Sequence, residues 1–109
     1  AGAAHEFLIS YEAGRPGGSA GLAREHFRRA LALTDTPRAS LFVALAEGLS
    51  IKEQNLDEFK ALLASALAVN PDREPKGRLV NVLAQRRARW LLARIPELFL
   101  DIDHKEVAP

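Results

Sequence analysis

Apolar residues recur along this chain at three- and four-residue intervals, the spacing that gathers them on one face of an α-helix. Phe7, Leu8 and Tyr11, with Ala3 and Ala4 a turn earlier, predict a first helix near 2–13, and Gly14-Arg15-Pro16-Gly17-Gly18 reads as the turn that ends it. Ser19 is a suitable N-cap for a second helix near 19–33, through Leu22, Ala23, Phe27, Ala30, Leu31 and Leu33. Thr36-Pro37 marks the start of a third near 37–49, because proline at the first helical position lacks only a donor that would go unpaired there. Asn55 with Glu58 three residues on has the form of a reciprocal cap, opening a fourth helix near 56–69 that Asn70-Pro71-Asp72 closes. A fifth, near 75–95, ends or kinks at Pro96. No stretch shows the two-residue alternation of a strand, so the reading is all-α: one domain over 1–100 with one core, and a flexible polar tail over 101–109.

Two of these helices repeat each other. Phe27-x-x-Ala30-Leu31 before Thr36-Pro37 superposes on Leu63-x-x-Ala66-Leu67 before Asn70-Pro71 with a shift of 36 residues. That is close to the ~34-residue helix-turn-helix period of tetratricopeptide-like arrays. The expected architecture is therefore a fragment of a right-handed α-solenoid, two helical hairpins with a long C-terminal helix. In such a stack the first helix of each pair lines the concave side, which nominates His5, Leu8, Ile9, Glu12, Leu41, Ala44, Leu45 and Gly48 as an apolar groove. The alternative for the same residues is that they face neighbouring helices as core.

Composition narrows the functional classes. Fifteen basic against 14 acidic residues leave a net charge of +1, so no global field favours nucleic acid or an acidic membrane. Cysteine is absent, which excludes disulfides and thiolate metal sites. His5, His26 and His104 lack metal-ligand spacing, and no serine, threonine or lysine sits beside an oriented base, so neither a metal, a cofactor nor an active site is read. The glycines Gly14, Gly17, Gly18 and Gly21 lack the strand and the Gly-Lys-Ser/Thr ending of a phosphate loop. No run approaches the ~20 apolar residues that span a bilayer, and an opening at Ala1-Gly2-Ala3-Ala4 without methionine reads as a piece of a longer protein.

One local field stands out. From Glu74 to Glu97 no acid intervenes, while Lys76, Arg78, Arg86, Arg87, Arg89 and Arg94 are basic. Arg78, Asn81, Gln85 and Arg89 fall on one polar face of that helix, and Arg87 falls on the apolar side, where it must snorkel out or meet an acid. Such a helix suits an acidic protein surface or a nucleic-acid backbone; the plainer reading pairs it with acids between Glu53 and Asp72 and with Glu97, Asp101 and Asp103. Trp90, among Leu79, Val82, Leu83, Leu91 and Leu92, is expected to anchor the core, where truncation to alanine would cost about 3–5 kcal/mol.

The run Ala23-Arg24-Glu25-His26-Phe27-Arg28-Arg29-Ala30-Leu31, and more distinctively Asn81-Val82-Leu83-Ala84-Gln85-Arg86-Arg87-Ala88-Arg89-Trp90-Leu91-Leu92, resembles the T-component of tripartite ATP-independent periplasmic (TRAP) transporters. Gly17-Gly18 and Gln54-x-x-x-Glu58-Phe59 fit as well. The resemblance implies a non-enzymatic periplasmic lipoprotein, its anchor upstream of this C-terminal part, that associates with the transporter's solute-binding component. Gln85, Arg86, Arg87 and Arg89 are then the expected docking residues, the groove is a place for a small hydrophobic molecule, and self-association into a homo-oligomer is in keeping with the family. The rival class is a nucleic-acid-binding or general protein-interaction domain using the basic helix 76–94.

Overall fold

The computed structural model describes residues 2–14 and 18–100, with side chains from Glu6 onward, and it is all-α, with no strand among the described residues. Helix α1 is Gly2–Gly14, α2 Ala20–Ala32, and α3 Ala39–Leu45 runs on into a π-helical turn, Ala46–Ser50. Helix α4 is Leu56–Ala68; a 3-10 turn, Pro75–Gly77, leads into α5, Arg78–Ala93, and α6 is the single turn Ile95–Leu98. The glycine-rich turn at 15–17 and the tail at 101–109 lie outside the described residues.

Local chemistry accounts for most of the boundaries. Ser19 Oγ accepts from Leu22 N at 3.1 Å, satisfying one free donor at the start of α2. Asn55 Oδ1 does the same for Glu58 N at 3.1 Å. The reciprocal half of that cap is not made, because the Glu58 carboxylate is taken by Arg24 (2.9 Å) and by Ser50 Oγ (2.7 Å). At α3 the start moves from Pro37 to Ala39, with Arg38 extended and offering no side-chain cap. Its missing acceptor comes from far along the chain, since Ala39 N donates to Asn81 Oδ1 of α5 at 2.8 Å. Pro96 sits in the first turn of α6, where its missing donor costs nothing, and the long helix breaks at Arg94.

Helix α1 pairs with α2 and α3 with α4, the two hairpins lie side by side through contact of α1 with α3, and α5 closes the far side across α3 and α4. Ala30 and Ala66, the matched positions of the repeat, are both buried in the second helix of their hairpin. Helix α3 is the shared wall. Leu41, Leu45 and Leu49 face a cluster with Ile9, Ala13, Ala23 and Ala30, while Ala39, Val43 and Ala46 face another with Phe59, Leu63, Ala66, Ala88 and Leu91. The expected single core is thus divided in two by a helix apolar on both sides, with Leu62 packing against each cluster. Phe99 covers Phe59 edge-on, ring centroids 4.9 Å apart.

The hairpins are tied by polar contacts as well. Arg24 of α2 reaches Glu53 at 2.6 Å and Glu58 at 2.9 Å, bridging the first hairpin to both ends of the α3–α4 connection. These bonds raise the Arg24 guanidinium above its ordinary range, and the same contact holds the Glu53 carboxyl below its usual value. Gln54, in the left-handed region at φ 56°, donates from Nε2 to Leu98 O at 3.0 Å and accepts from Leu100 N at 2.9 Å, clamping the end of α6 to that connection.

Trp90 departs from expectation. Its side of α5 faces outward, the residue is 44% exposed, and the guanidinium carbons of Arg87 and Arg94 each lie 4.4 Å from its ring centroid. The anchor of that core is Phe59, which is fully buried.

Urea or thermal melts check the consequences. Phe59→Ala is expected to cost about 3–5 kcal/mol, through lost transfer energy and the cavity left behind, and Trp90→Ala less, about 1–2 kcal/mol, since it forfeits two cation–π contacts worth about 0.5–1 kcal/mol each at a half-exposed site. The Glu53 carboxyl is depressed in the folded protein, so its contribution is complete above the ordinary value of 4.5 and disappears as pH falls through the lower folded value. Melts of Glu53→Gln and the parent chain should therefore differ at about pH 7, with the difference shrinking as the pH is lowered below the ordinary value of 4.5.

Candidate functional site

The rotation of α5 decides which of its residues meet solvent. Ala84 and Ala88, small enough for close approach, face α3 and α4 together with Leu91. Asn81 and Gln85, one turn apart, are turned inward too, only 5% and 7% exposed. Asn81 takes the Ala39 amide hydrogen, as described; Gln85 Nε2 donates to Ala66 O at 3.1 Å and to Val69 O at 2.7 Å. A single helix face therefore supplies an acceptor to the start of α3 and a donor to the end of α4, where free backbone groups concentrate.

What this leaves outside is a stripe unlike an ordinary solvated surface. Leu79 is 67% exposed and Leu83 52%, and Trp90 continues the line, with Val80 on its flank. Arg86 is exposed beside Trp90 and has no ion pair among the described residues. Arg87 stacks on the indole and forms an ion pair with Glu47 of the π-helical turn, whose carboxylate raises the guanidinium above its ordinary value. Arg94, equally close to the ring, pairs with Glu97 at 3.0 Å. The face is thus apolar along its middle and cationic at one end, where two guanidinium groups lie against the indole.

Of the docking residues expected from the sequence, Arg86 and Arg87 lie on this stripe beside Trp90. Arg89 is exposed about a quarter turn away, by the 100° step of a helix. Gln85 is not on the exposed face expected for it: it is buried, and its Nε2 donates to two carbonyls at the end of α4. The basic helix is partly compensated, with Arg78 on Asp72 at 2.8 Å and Arg94 on Glu97, but Arg87 finds Glu47, upstream of the acidic stretch that was its expected match.

The groove residues also take another place. Ile9, Leu41 and Leu45 are buried against one another between α1 and α3, with Leu8 and Ala44 half-buried. Glu12 is buried, its Oε2 accepting from Ser19 N at 3.1 Å, so its carboxylate ties the end of α1 to the start of α2. Gly48 stands where α1 comes nearest: a Cβ there would lie 3.2 Å from Ala13 Cβ. The His5 side chain lies outside those described. These residues form core, the alternative weighed for them, because in a stack of two hairpins the first helices pack on each other. An open hollow, of about 350 Å³, lies instead at the helix ends, between the α2–α3 and α4–α5 connections, with Thr36, Pro37, Phe42, Val69, Arg73 and Asn81 in its wall. Sequence reasoning passed over it because Thr36-Pro37 and Asn70-Pro71 read only as punctuation.

Comparison with known proteins gives these features a context. An uncharacterized protein of Treponema pallidum (strain Nichols) is 39% identical over 59 residues, a stretch that covers 54% of this chain and 18% of that protein. The chain therefore spans only a small part of the length of the relative it matches. The model of the TRAP transporter T-component family matches residues 1–99, which contain both hairpins and α5. The chain belongs to the T-component family of TRAP transporters.

Proposed function

We propose that this chain is a non-enzymatic docking module of its transporter, and that it grips the solute-binding component through the outward stripe of α5. The observation that carries this reading is the exposure of Leu79, Leu83 and Trp90 in a line, next to Arg86, which has no ion pair among the described residues. Contiguous apolar surface with a tryptophan and arginines is the composition of interaction hot spots rather than of a merely solvated helix. The partner that fits is a surface with an apolar centre and acidic rim. Membership of the T-component family supports the transporter and a periplasmic-side setting; a lipid anchor upstream, holding the protein at the membrane, is part of the same proposal. No helix among the described residues is long and apolar enough to cross a membrane. Burial of Ile9, Leu41 and Leu45 argues against the α1–α3 surface as the place for a small hydrophobic ligand within this chain.

Nucleic-acid binding by the same helix is the less favoured reading, because Arg78, Arg87 and Arg94 already face Asp72, Glu47 and Glu97.

Calorimetry of the chain against the purified solute-binding component of the same transporter tests the proposal. Leu83→Glu and Arg86→Glu should each weaken association at least about tenfold with helix content unchanged, and Arg89→Glu less than about twofold. No association, or equal effects at all three positions, rules the stripe out. Retarded duplex DNA at physiological salt, with a steep salt dependence, would favour the rival.

A further inference from the structure

The hollow at the helix ends lies on the inward side of α5, across the helix from the docking stripe, because Asn81 is in its wall. Its volume of about 350 Å³ falls at the lower end of the range for small-molecule sites. Phe42, Ala68 and Val69 make one part of the wall apolar; Asp35, Arg73, Glu74 and Asn81 make the rest polar.

Asn81 is the informative member. The Ala39 amide can only donate, so the oxygen of the Asn81 side chain must face it, at 2.8 Å. That fixes the orientation of the group and turns Nδ2 away from α3. Although the residue is only 5% exposed, Nδ2 donates to no acceptor among the described residues. The nitrogen itself is not sealed off within the fold, so an amide held in place by its oxygen offers donors to a molecule in the hollow. Arg73, in the same wall, has no ion pair among the described residues, and neither do Asp35 and Glu74.

The charges choose the occupant. A simple carboxylate would answer Arg73 and Asn81 but add to the two negative charges already in the wall. A simple amine would answer Asp35 and Glu74 and leave the donors unmatched. A molecule carrying both groups complements both sets, whose charged members stand exposed at the rim of the hollow, and the apolar part of the wall suits a short aliphatic portion beside them. We propose that this cavity binds a small zwitterion of the aliphatic α-amino-acid class. Its carboxylate meets Arg73 and Asn81 Nδ2, its ammonium meets Asp35 and Glu74, and its side chain packs on Phe42, Ala68 and Val69.

Amide-resolved NMR titration of the full chain tests this with L-leucine and two matched probes, isocaproate, which lacks the amine, and isoamylamine, which lacks the carboxylate. L-leucine should shift the backbone amides of Ala39, Arg73 and Asn81 saturably, and each single-charge probe should act at least about tenfold more weakly. Arg73→Ala, at an exposed loop position that the fold does not lean on, should weaken L-leucine about tenfold. Ala68→Leu, which fills the apolar part of the wall from an exposed helix position, should weaken it comparably while the spectrum stays folded. Absence of a saturable response to L-leucine overturns the proposal. So does an equal response to either single-charge probe, or indifference to both substitutions.

Discussion

Hydrogen bonds from Asn81 and Gln85 hold α5 at one rotation, and the character of both its faces follows from that. The start of α3 carries no side-chain cap of its own, and the end of α4 leaves the Val69 carbonyl open and Ala66 O with only a long bond of 3.4 Å from Val69 N. Each orphan is answered from α5, which spends two polar residues at adjacent turns of its inward face to do so. Turning α5 to bury Leu83 and Trp90 instead would break those bonds and set Ala84 and Ala88 towards water. Burial of a large aromatic is worth a few kcal/mol, but unsatisfied buried backbone groups cost about 1–3 kcal/mol each, and several are at stake here. The alanines then gain close packing that a bulkier face could not reach. The apolar stripe is outside because polar satisfaction, not hydrophobicity, decides the rotation.

This also explains what the sequence did and did not make legible. Helices opened by a cap of their own, such as α2 and α4, announce themselves through the period of their apolar residues and through Ser19 and Asn55, whose effects are local. The all-α class and the pairing of α1 with α2 and α3 with α4 follow from those signals and from the short connections. For α5 the same period misleads: Asn81 and Gln85 look like surface and are core, while Leu79, Leu83 and Trp90 look like core and are surface. Periodicity ranks residues by transfer energy and cannot see an orphan amide at residue 39 waiting for a partner 42 positions away. The start of α3 is misplaced for the same reason, since Pro37 is a local signal and the true cap is not. The missed half of the Asn55–Glu58 cap is a third instance, Glu58 being drawn to Arg24 across the hairpin boundary.

The residues of the motifs that resemble the T-component family turn out to have specific tertiary duties. Arg24 bridges the hairpins, Gln54 clamps the end of α6, Asn81 and Gln85 close helix ends, and Arg87 and Trp90 shape the outer face. None of these is an isolated surface group. A docking face of the kind proposed gains from rigidity, and contacts that cross element boundaries limit the local opening that hairpins stacked only through alanine and leucine would permit.

The position of Trp90 has a practical corollary. It is the only indole in the chain, and it is half in water beside two guanidinium groups at the cationic end of the outer face. Its ultraviolet emission therefore reports on that face alone, with no contribution from another tryptophan. Anionic quenchers such as iodide are drawn there by the two cations, whereas caesium is repelled, so the ratio of the two quenching constants reads the local potential directly. A protein seated on the stripe would shift the emission to the blue and shield it from both ions, which makes the natural sequence its own label.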